Sequence, residues 1–321
     1  GIRDVAVTGV QTCALPISLL AEARKDERIF LITADLGFSI VERFAEEFPR
    51  RFFNVGIQEQ NAVSMAAGMA MSGKIVYFYT IIPFATMRCY EQIRVDGAYL
   101  DTSIRLVGVG AGFTYGPAGA THHGIEDLAL MRSLPNMTVL APGDLRETRA
   151  AVRASVGIKG PVYIRLGRGG EPEIHAEELS SWRIGKAIEM SRGRDLQLLA
   201  TSNMLESALQ IRGVLEQMGW NAGVTSCPSL KPFDQPYVHS LIADGKPIFT
   251  IEEHVIQGGL GSAVAELIAE SGRGLTFQRF GIPDCFTHVV GSQAVIRKSL
   301  GLDVETLAQK VNACLRKNRG E

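Results

Sequence analysis

Short apolar runs that alternate with helical patterns are the feature that most restricts the folds open to this chain. Parallel strands need long crossover connections, which are usually helices, so this alternation predicts a mostly parallel sheet covered by helices. In the first half, the predicted strands are Ile29–Thr33, Ile75–Thr80, Ile104–Val109, Thr138–Leu140 and Val162–Arg165, and the predicted helices are Leu19–Ala23, Ile40–Phe48, Asn61–Met71, Ala85–Leu100, Ile125–Arg132 and Leu145–Val156.

A second alternation follows Gly167–Trp182, a segment rich in Gly, Pro and charge that we interpret as an interdomain linker. The chain has 321 residues, more than one typical core holds. We therefore predict an α/β protein of two domains, each a mostly parallel sheet flanked by helices, spanning 18–170 and 186–321 with a linker at 171–185. The later predicted strands are Leu196–Ala200, Ala222–Thr225, Pro247–Ile251 and Leu275–Phe280, and the later helices are Leu205–Met218, Ser262–Ser271 and Val304–Leu315.

Residues 1–17 are set apart from this fold. Val7–Ile17 reads VTGVQTCALPI, which resembles a translated sequencing adapter, so we expect a non-native segment. It lacks the basic start and long apolar centre of a signal peptide. Whether the native chain extends further upstream stays open.

The composition narrows the class of protein. The formal net charge is −1 and 21% of the residues are charged, which gives no electrostatic footprint for nucleic acid or a membrane surface. The apolar runs are short and interrupted by charge, so we expect no membrane-spanning segment. Five scattered cysteines show neither zinc spacing nor a disulfide framework, which favours a reducing cytoplasm.

The stretch Arg51–Gly73 reads RFFNVGIQEQNAVSMAAGMAMSG and places a carboxylate at the start of a helix. A strand is predicted to end at Val55, Gly56 permits a turn, and Glu59 follows at the helix start. An isolated Glu at such a position most often only complements the helix dipole. Its neighbouring motifs point to a further role.

Six blocks occur in a fixed order along the chain. Together they resemble the pyrimidine-binding and C-terminal domains of transketolases and the related deoxyxylulose-phosphate synthases. The resemblance extends over nearly everything from Ser18 on, and it implies the C-terminal subunit of a thiamine-diphosphate-dependent transketolase. The blocks are TADLG at Thr33–Gly37, NVGIQEQNA at Asn54–Ala62, FATMRCYEQIR at Phe84–Arg94, ATHHGIEDLALMRSLPNMTVLAPGD at Ala120–Asp144, YIRLGRGG at Tyr163–Gly170 and IEEHVIQGGLGSAVAE at Ile251–Glu266.

This resemblance implies a cofactor site built on the first domain. Glu59 matches the family carboxylate that shares a proton with a ring nitrogen of the cofactor's aminopyrimidine and so activates the cofactor. Phe84 matches the aromatic residue that stacks on that ring. Arg88 and Gln92 lie four residues apart on one predicted helix face. We expect Arg88 to bind the cofactor, while the alternative that this pair only fixes a subunit interface stays open.

The resemblance also implies substrate contacts. His122 matches the histidine that contacts a substrate oxygen near the reacting carbon, so we assign it a catalytic and substrate-binding role. Arg168 corresponds to the arginine that binds the phosphate end of sugars, although a surface salt bridge is nearly as good an explanation. The segment Glu252–His254 is expected to be structural.

Two positions depart from the family pattern. Transketolases carry an Asp at the position of Ala118, where it binds a hydroxyl of the acceptor aldehyde. A histidine used for sugar phosphate would fall at Gly110. A lost hydrogen bond costs on the order of 1–3 kcal/mol. The donor and acceptor sugars therefore stay open.

The family's diphosphate-binding domain, with its Gly-Asp-Gly stretch and following Asn, has no match in this sequence. Magnesium bridging a diphosphate needs such oxygen ligands. We therefore expect no metal ligand here, and an N-terminal transketolase subunit that holds the diphosphate and Mg²⁺; truncation of a longer chain is the alternative. The family implies self-association into a heterotetramer that acts on sugars or sugar phosphates.

Two other functions are alternatives. A beta subunit of a 2-oxo-acid dehydrogenase shares this two-domain plan, but its histidine- and serine-rich loop is absent. A non-catalytic assembly subunit would explain Ala118 and Gly110, although it would need none of Glu59, Phe84 and His122.

Overall fold

Twelve strands form two sheets in the computed structural model, which describes residues 14–37, 40–170 and 172–319. The first sheet has the strand order β10-β5-β6-β4-β3-β1-β2 and the second has the order β12-β11-β8-β9-β7. The strands are β1 (Ile29–Thr33), β2 (Phe52–Asn54), β3 (Ile75–Ile81), β4 (Ile104–Val109), β5 (Thr138–Leu140), β6 (Val162–Leu166), β7 (Ile188–Ser191), β8 (Leu196–Ala200), β9 (Ala222–Ser226), β10 (Ser229–Lys231), β11 (Ile248–Val255) and β12 (Phe277–Ile282).

Both sheets are mostly parallel, as predicted. Within the described residues, the antiparallel pairs are β10 with β5 and β7 with β9, each at a sheet edge. The strand β10 comes from the second half of the chain but completes the first sheet, because Ser229 pairs with Leu140 and Lys231 with Val139. The two domains are thus joined through a shared sheet as well as through the connecting segment.

Helices cover the sheets and account for the connections between parallel strands. In the described residues they are Ala14–Ala23, Glu42–Glu47, Glu59–Met71, Ile82–Thr86, Tyr90–Gln92, Asp127–Ser133, Leu145–Val156, Leu205–Gln217, Gln235–Asp244, Leu260–Glu270, Gln293–Ser299 and Val304–Arg319, with a π-helix at Ile93–Tyr99 and 3₁₀ turns at Gly116–Ala118 and Ser202–Met204. None of these helices combines the length and the apolar character that a membrane span requires.

The segment Ala85–Leu100, predicted as one helix, is divided in the structure. The backbone N–H of Arg88 donates to Pro83 O, five residues earlier, and the thiol of Cys89 donates to Phe84 O. Five-residue spacing belongs to π-type turns, which often occur at functional sites. The interruption therefore falls next to Phe84 and Arg88, two of the predicted site residues.

The first helix begins earlier than predicted. Residues 1–13 of the expected non-native segment lie outside the described residues, but Ala14–Ile17 belongs to the helix Ala14–Ala23. Leu15 and Leu19 are buried in the cluster that covers one face of the first sheet.

Alternate residues of the central strands enter different cores. On β3, Val76 and Phe78 belong to one apolar cluster, while Tyr77 and Tyr79 belong to another. Every residue of β3 and β4 is buried. A strand buried on both faces is typical of a parallel sheet covered by helices on both sides.

A buried polar network joins the two domains beneath the first sheet's loops. Arg165 lies 3.0 Å from Asp127, measured from Nε to Oδ2, and both side chains are fully buried. Tyr163 donates its hydroxyl to the same oxygen at 2.6 Å. Arg165 Nη2 also donates to the carbonyl of Gly124 in the first domain and to that of Glu253 in the second.

The segment Glu252–His254 makes structural contacts of the kind we expected. Glu252 accepts hydrogen bonds from the backbone N–H groups of Leu260 and Gly261 at the start of a helix. Glu253 is paired with Arg297 at 2.6 Å. His254 is fully buried, and burial lowers its pKa to about 4. Glu252 and Glu253 thus hold elements of the second domain together, while His254 Nε2 accepts a hydrogen bond from the Ala129 N–H of the first domain at 3.3 Å.

Candidate functional site

The five predicted site residues all follow the carboxyl ends of strands in the first sheet. Glu59 follows β2, Phe84 and Arg88 follow β3, His122 follows β4, and Arg168 follows β6. The carboxyl ends of parallel strands lie at the same edge of a sheet, where ligands of open α/β folds bind. The topology therefore brings residues that are far apart in the sequence to one edge.

Glu59 is buried at the first residue of the helix Glu59–Met71, with 3% of its surface exposed. The turn before it is fixed by Gly56, which has a φ of +73°. Asn54 Oδ1 accepts a hydrogen bond from the Gly56 N–H at 3.0 Å. A positive φ is costly for residues with a side chain, so glycine suits this turn. The turn aims the carboxylate inward.

Arg88 contacts two of the other site residues at once. Its Nη1 donates to Glu59 Oε2 at 2.7 Å, and its guanidinium carbon lies 4.4 Å from the centroid of the Phe84 ring. The Arg88 side chain is 43% exposed, so this pair stands at the mouth of the site. Gln92 instead donates to its neighbour Glu91. Of this pair, Arg88 contacts two of the predicted site residues and Gln92 does not.

His122 and His123 have different surroundings. The half-buried His122 ring stands edge-on to Phe84, with centroids 5.3 Å apart, and Thr121 Oγ1 is 2.9 Å from its Nδ1. His123 is buried against Phe113 with centroids 5.0 Å apart, and burial lowers its pKa. His122 therefore contacts Phe84, a predicted site residue, while His123 is packed against Phe113 in the protein interior.

Tyr115, which we did not single out from the sequence, contacts two of the predicted site residues. Its ring centroid lies 6.3 Å from that of His122, and the guanidinium carbon of Arg168 lies 5.3 Å from the same ring. Burial raises the pKa of Tyr115, and the charge of Arg168 only partly offsets this effect. The available signal was an aromatic residue inside the Gly-rich loop that carries His122.

Successive contacts join six side chains into one row, in the order Glu59, Arg88, Phe84, His122, Tyr115 and Arg168. The row has a carboxylate at one end, a guanidinium at the other, and imidazole and aromatic rings between them. A guanidinium presents a donor fork that suits phosphate and other oxyanions. An imidazole can move a proton near neutral pH.

The resemblance implies thiamine diphosphate, and the first three residues of the row fit its pyrimidine end. The Arg88 guanidinium is planar, packs on Phe84 and donates an N–H to Glu59. An aminopyrimidine needs the same two partners, an aromatic face and a carboxyl group. Glu59 and Phe84 thus already contact one planar group that carries N–H donors, the Arg88 guanidinium.

One group in the described part of the chain has the composition of a metal site, namely Asp144, Glu147 and His175. Its atoms are engaged internally. Asp144 caps the helix Leu145–Val156 by accepting from the Glu147 N–H at 2.7 Å, and it also accepts from the N–H groups of Ile174 and His175. Glu147 Oε1 lies 2.9 Å from His175 Nε2. The cluster anchors the connecting segment to the first domain.

Comparison with known proteins agrees with the resemblance found in the sequence. The family model for the transketolase pyrimidine-binding domain matches residues 12–171, and that for the transketolase C-terminal domain matches residues 185–307. One of the subunits of the apulose-4-phosphate transketolase of Actinobacillus succinogenes is 36% identical over 264 residues, which cover 82% of this chain and 85% of that protein.

Two further comparisons agree. The 6-deoxy-6-sulfo-D-fructose transketolase subunit SqwH of Clostridium sp. is 35% identical over 292 residues, which cover 91% of this chain and 90% of that protein. A solved split-gene transketolase, described as an inactive β4 tetramer, matches with a TM-score of 0.85 and 36% identity, over 95% of this chain and 96% of that one. The chain therefore belongs to the transketolase family and carries its pyrimidine-binding and C-terminal domains in that order.

Proposed function

We propose that this chain is the C-terminal subunit of a split, thiamine-diphosphate-dependent transketolase. Together with a subunit that binds the diphosphate, it transfers a two-carbon ketol unit from a ketose to an aldehyde. The observation that carries the proposal is the row of six contacting side chains, which starts at the buried Glu59 carboxylate and ends at Arg168. The split-gene transketolase that this chain resembles, over 95% of this chain and 96% of that one, supports the assignment to a subunit.

The first three residues of the row would hold the pyrimidine end of the cofactor. Bound thiamine diphosphate supplies the electron sink for the two-carbon fragment. Glu59, shielded from water, holds a proton at a pyrimidine nitrogen, and Phe84 provides the aromatic face. Arg88 stands at the mouth of the site and would give up its bond to Glu59 to the pyrimidine when the cofactor binds.

The other residues would bind the sugar. His122 lies beside Phe84 and serves the oxygen near the reacting carbon. Arg168, at the far end of the row, binds a terminal oxyanion through its donor fork. The names of the two relatives, which specify a sugar phosphate and a sulfosugar, support a substrate with such an oxyanion.

The remaining parts of the enzyme would come from a partner. An N-terminal transketolase subunit would supply the diphosphate site and Mg²⁺, and two copies of each subunit would form a heterotetramer. The related split-gene chain described as an inactive β4 tetramer supports both self-association and the need for a partner. The described cysteines Cys89, Cys227, Cys285 and Cys314 are free thiols, which agrees with a cytoplasmic location.

Reconstitution with the candidate N-terminal subunit tests this function. Ketol transfer from fructose 6-phosphate, 6-deoxy-6-sulfofructose or fructose to an aldose panel should require both chains, thiamine diphosphate and Mg²⁺. Glu59→Ala should lower kcat by at least about 100-fold, as expected when a group that moves a proton is lost. Size-exclusion chromatography should show unchanged assembly of that variant.

A control variant and two outcomes distinguish the proposed enzyme subunit from a non-catalytic assembly subunit. Glu47→Ala removes an exposed carboxylate and should leave activity unchanged. An inactive pair on the whole panel would contradict the proposal. Full activity of the Glu59→Ala pair would instead support the assembly subunit, because a scaffold does not need that carboxyl group.

A further inference from the structure

Gly110 and Tyr115 occupy their positions as a pair. Gly110 has a φ of +98°, and a Cβ built on it would lie 2.6 Å from Tyr115 Cε2 and closer still to Cδ2. Real Cβ atoms do not approach a ring carbon this closely. The Tyr115 ring therefore occupies the space into which any side chain at 110 would project, and the two are mutually exclusive.

The loop that carries Tyr115 is held in place on both sides of the ring. Tyr115 precedes the 3₁₀ turn Gly116–Ala118, and its carbonyl accepts from the Ala118 N–H at 2.8 Å. The His122 N–H in turn donates to Gly119 O at 3.0 Å. Ala118 is exposed. The ring is thus fixed beside His122, while Ala118 does not take part in the row.

The Tyr115 hydroxyl is available to a ligand. Within residues 14–37, 40–170 and 172–319, it makes no hydrogen bond to protein, although the residue is partly buried. Burial raises its pKa, so the phenol is neutral and can donate its proton in a hydrogen bond at pH 7. Arg168 packs against the same ring, which places a cation on the side chain that carries this neutral donor.

We propose that Tyr115 is a substrate-binding residue whose hydroxyl, together with Arg168, binds the terminal tetrahedral oxyanion of the sugar. The inference rests on the proposed function and names its substrate class, a ketose that carries a terminal phosphate or sulfonate. The polar contact that Gly110 lacks is supplied from position 115 instead. Tyr115 thus takes the place of the side chain that is missing at position 110.

Tyr115→Phe in the reconstituted pair tests the hydroxyl alone, because the ring over Gly110 and Arg168 is kept. With fructose 6-phosphate or 6-deoxy-6-sulfofructose, kcat/KM should fall about tenfold or more, as for a lost hydrogen bond to a charged group. With fructose, it should change by less than about twofold, since no oxyanion is present. Comparison of the phosphate with the sulfonate shows which oxyanion the wild type prefers.

Several outcomes would overturn the inference. An equal fall for all three ketoses, or no fall for the two anionic ones, removes Tyr115 from oxyanion binding while the proposed function stands. A wild-type pair without ketol transfer removes both. Tyr99→Phe is the matched control, because it deletes the hydroxyl of a tyrosine that is 80% exposed and should alter none of the ratios.

A thermal-unfolding cycle tests the geometry independently of activity. Gly110→Ala should lower Tm through both its positive φ and the contact with the ring. In a Tyr115→Ala background only the φ penalty remains, so the same substitution should lower Tm by less. Equal losses in the two backgrounds would show that the ring does not occupy the space at 110.

Discussion

Removal of Asp127 should destabilise this chain more than removal of an exposed carboxylate, because its partner has no access to water. Arg165 and Asp127 are both fully buried, with Nε and Oδ2 3.0 Å apart. Among the described residues, Arg165 Nη1 has no hydrogen-bond partner. The buried positive charge of Arg165 is therefore compensated mainly by the Asp127 carboxylate.

The expected magnitude follows from burial. Breaking a buried ion pair by deleting one partner costs about 3–5 kcal/mol, because the remaining charge is left uncompensated. The bond from Tyr163 to Asp127 is lost as well. The pair between Arg24 and Glu47 has a similar distance of 2.7 Å, but its side chains are 55% and 35% exposed. Exposed pairs contribute less than about 1 kcal/mol.

Urea unfolding followed by circular dichroism measures the comparison between Asp127→Ala and Glu47→Ala. At about 2–4 °C per kcal/mol for a protein of this size, the first variant should also melt roughly 6–20 °C lower. The double variant Asp127→Leu/Arg165→Met removes both charges and should recover much of the loss. If Asp127→Ala lost no more stability than Glu47→Ala, the argument from burial would be refuted.

Two further predictions concern the interface between the domains. Burial lowers the pKa of His254 to about 4, whereas the unfolded imidazole takes up its proton near pH 6.5, so this group contributes stability that is lost as the pH falls between those values. Glu252, whose pKa burial raises to about 7, has the opposite effect on stability. Urea unfolding of the wild type and of His254→Gln at pH 7 and pH 5 therefore isolates the histidine. Between pH 7 and pH 5 the wild type should lose about 2 kcal/mol more stability than the variant. Gly112→Ala should destabilise by about 1–3 kcal/mol more than Gly73→Ala, because both have a positive φ but only the Cβ at 112 would meet Glu253, 2.6 Å from its Cγ. Equal melting temperatures of the two glycine variants would contradict the close approach.

Strands buried on both faces were predictable because their apolar runs carry the signal by themselves. The strands β1, β4, β5 and β8 have the predicted bounds. The edge strands β7 and β10 were not predicted, since both pair antiparallel and stand outside the alternation of strand and helix, and β10 is defined by its pairing with a strand of the other domain. The helices Gln235–Asp244 and Gln293–Ser299 were also missed.

The division of the predicted helix Ala85–Leu100 has a different cause. Its residues have helical propensity, but Pro83, two residues before the segment, accepts a hydrogen bond from the Arg88 N–H five residues later, and the Cys89 thiol donates to Phe84 O. Local propensity does not distinguish four-residue from five-residue spacing, because both use the same backbone groups. The resulting turn is what directs Arg88 toward Glu59.

The candidate site shows most clearly what a motif comparison can and cannot predict. Motifs identified Glu59, Phe84, His122 and Arg168 as candidates, and in the structure each of them follows the carboxyl end of a strand of the first sheet. They did not reveal the contacts between these residues, which cross from one strand to another. At Gly110 the motif comparison indicated only that the family histidine is missing, because it treats each position separately. The structure shows that the ring of Tyr115, five residues later, occupies the space of that side chain. A polar group absent at its usual position is therefore weak evidence against a function until the residues that can reach that space have been identified.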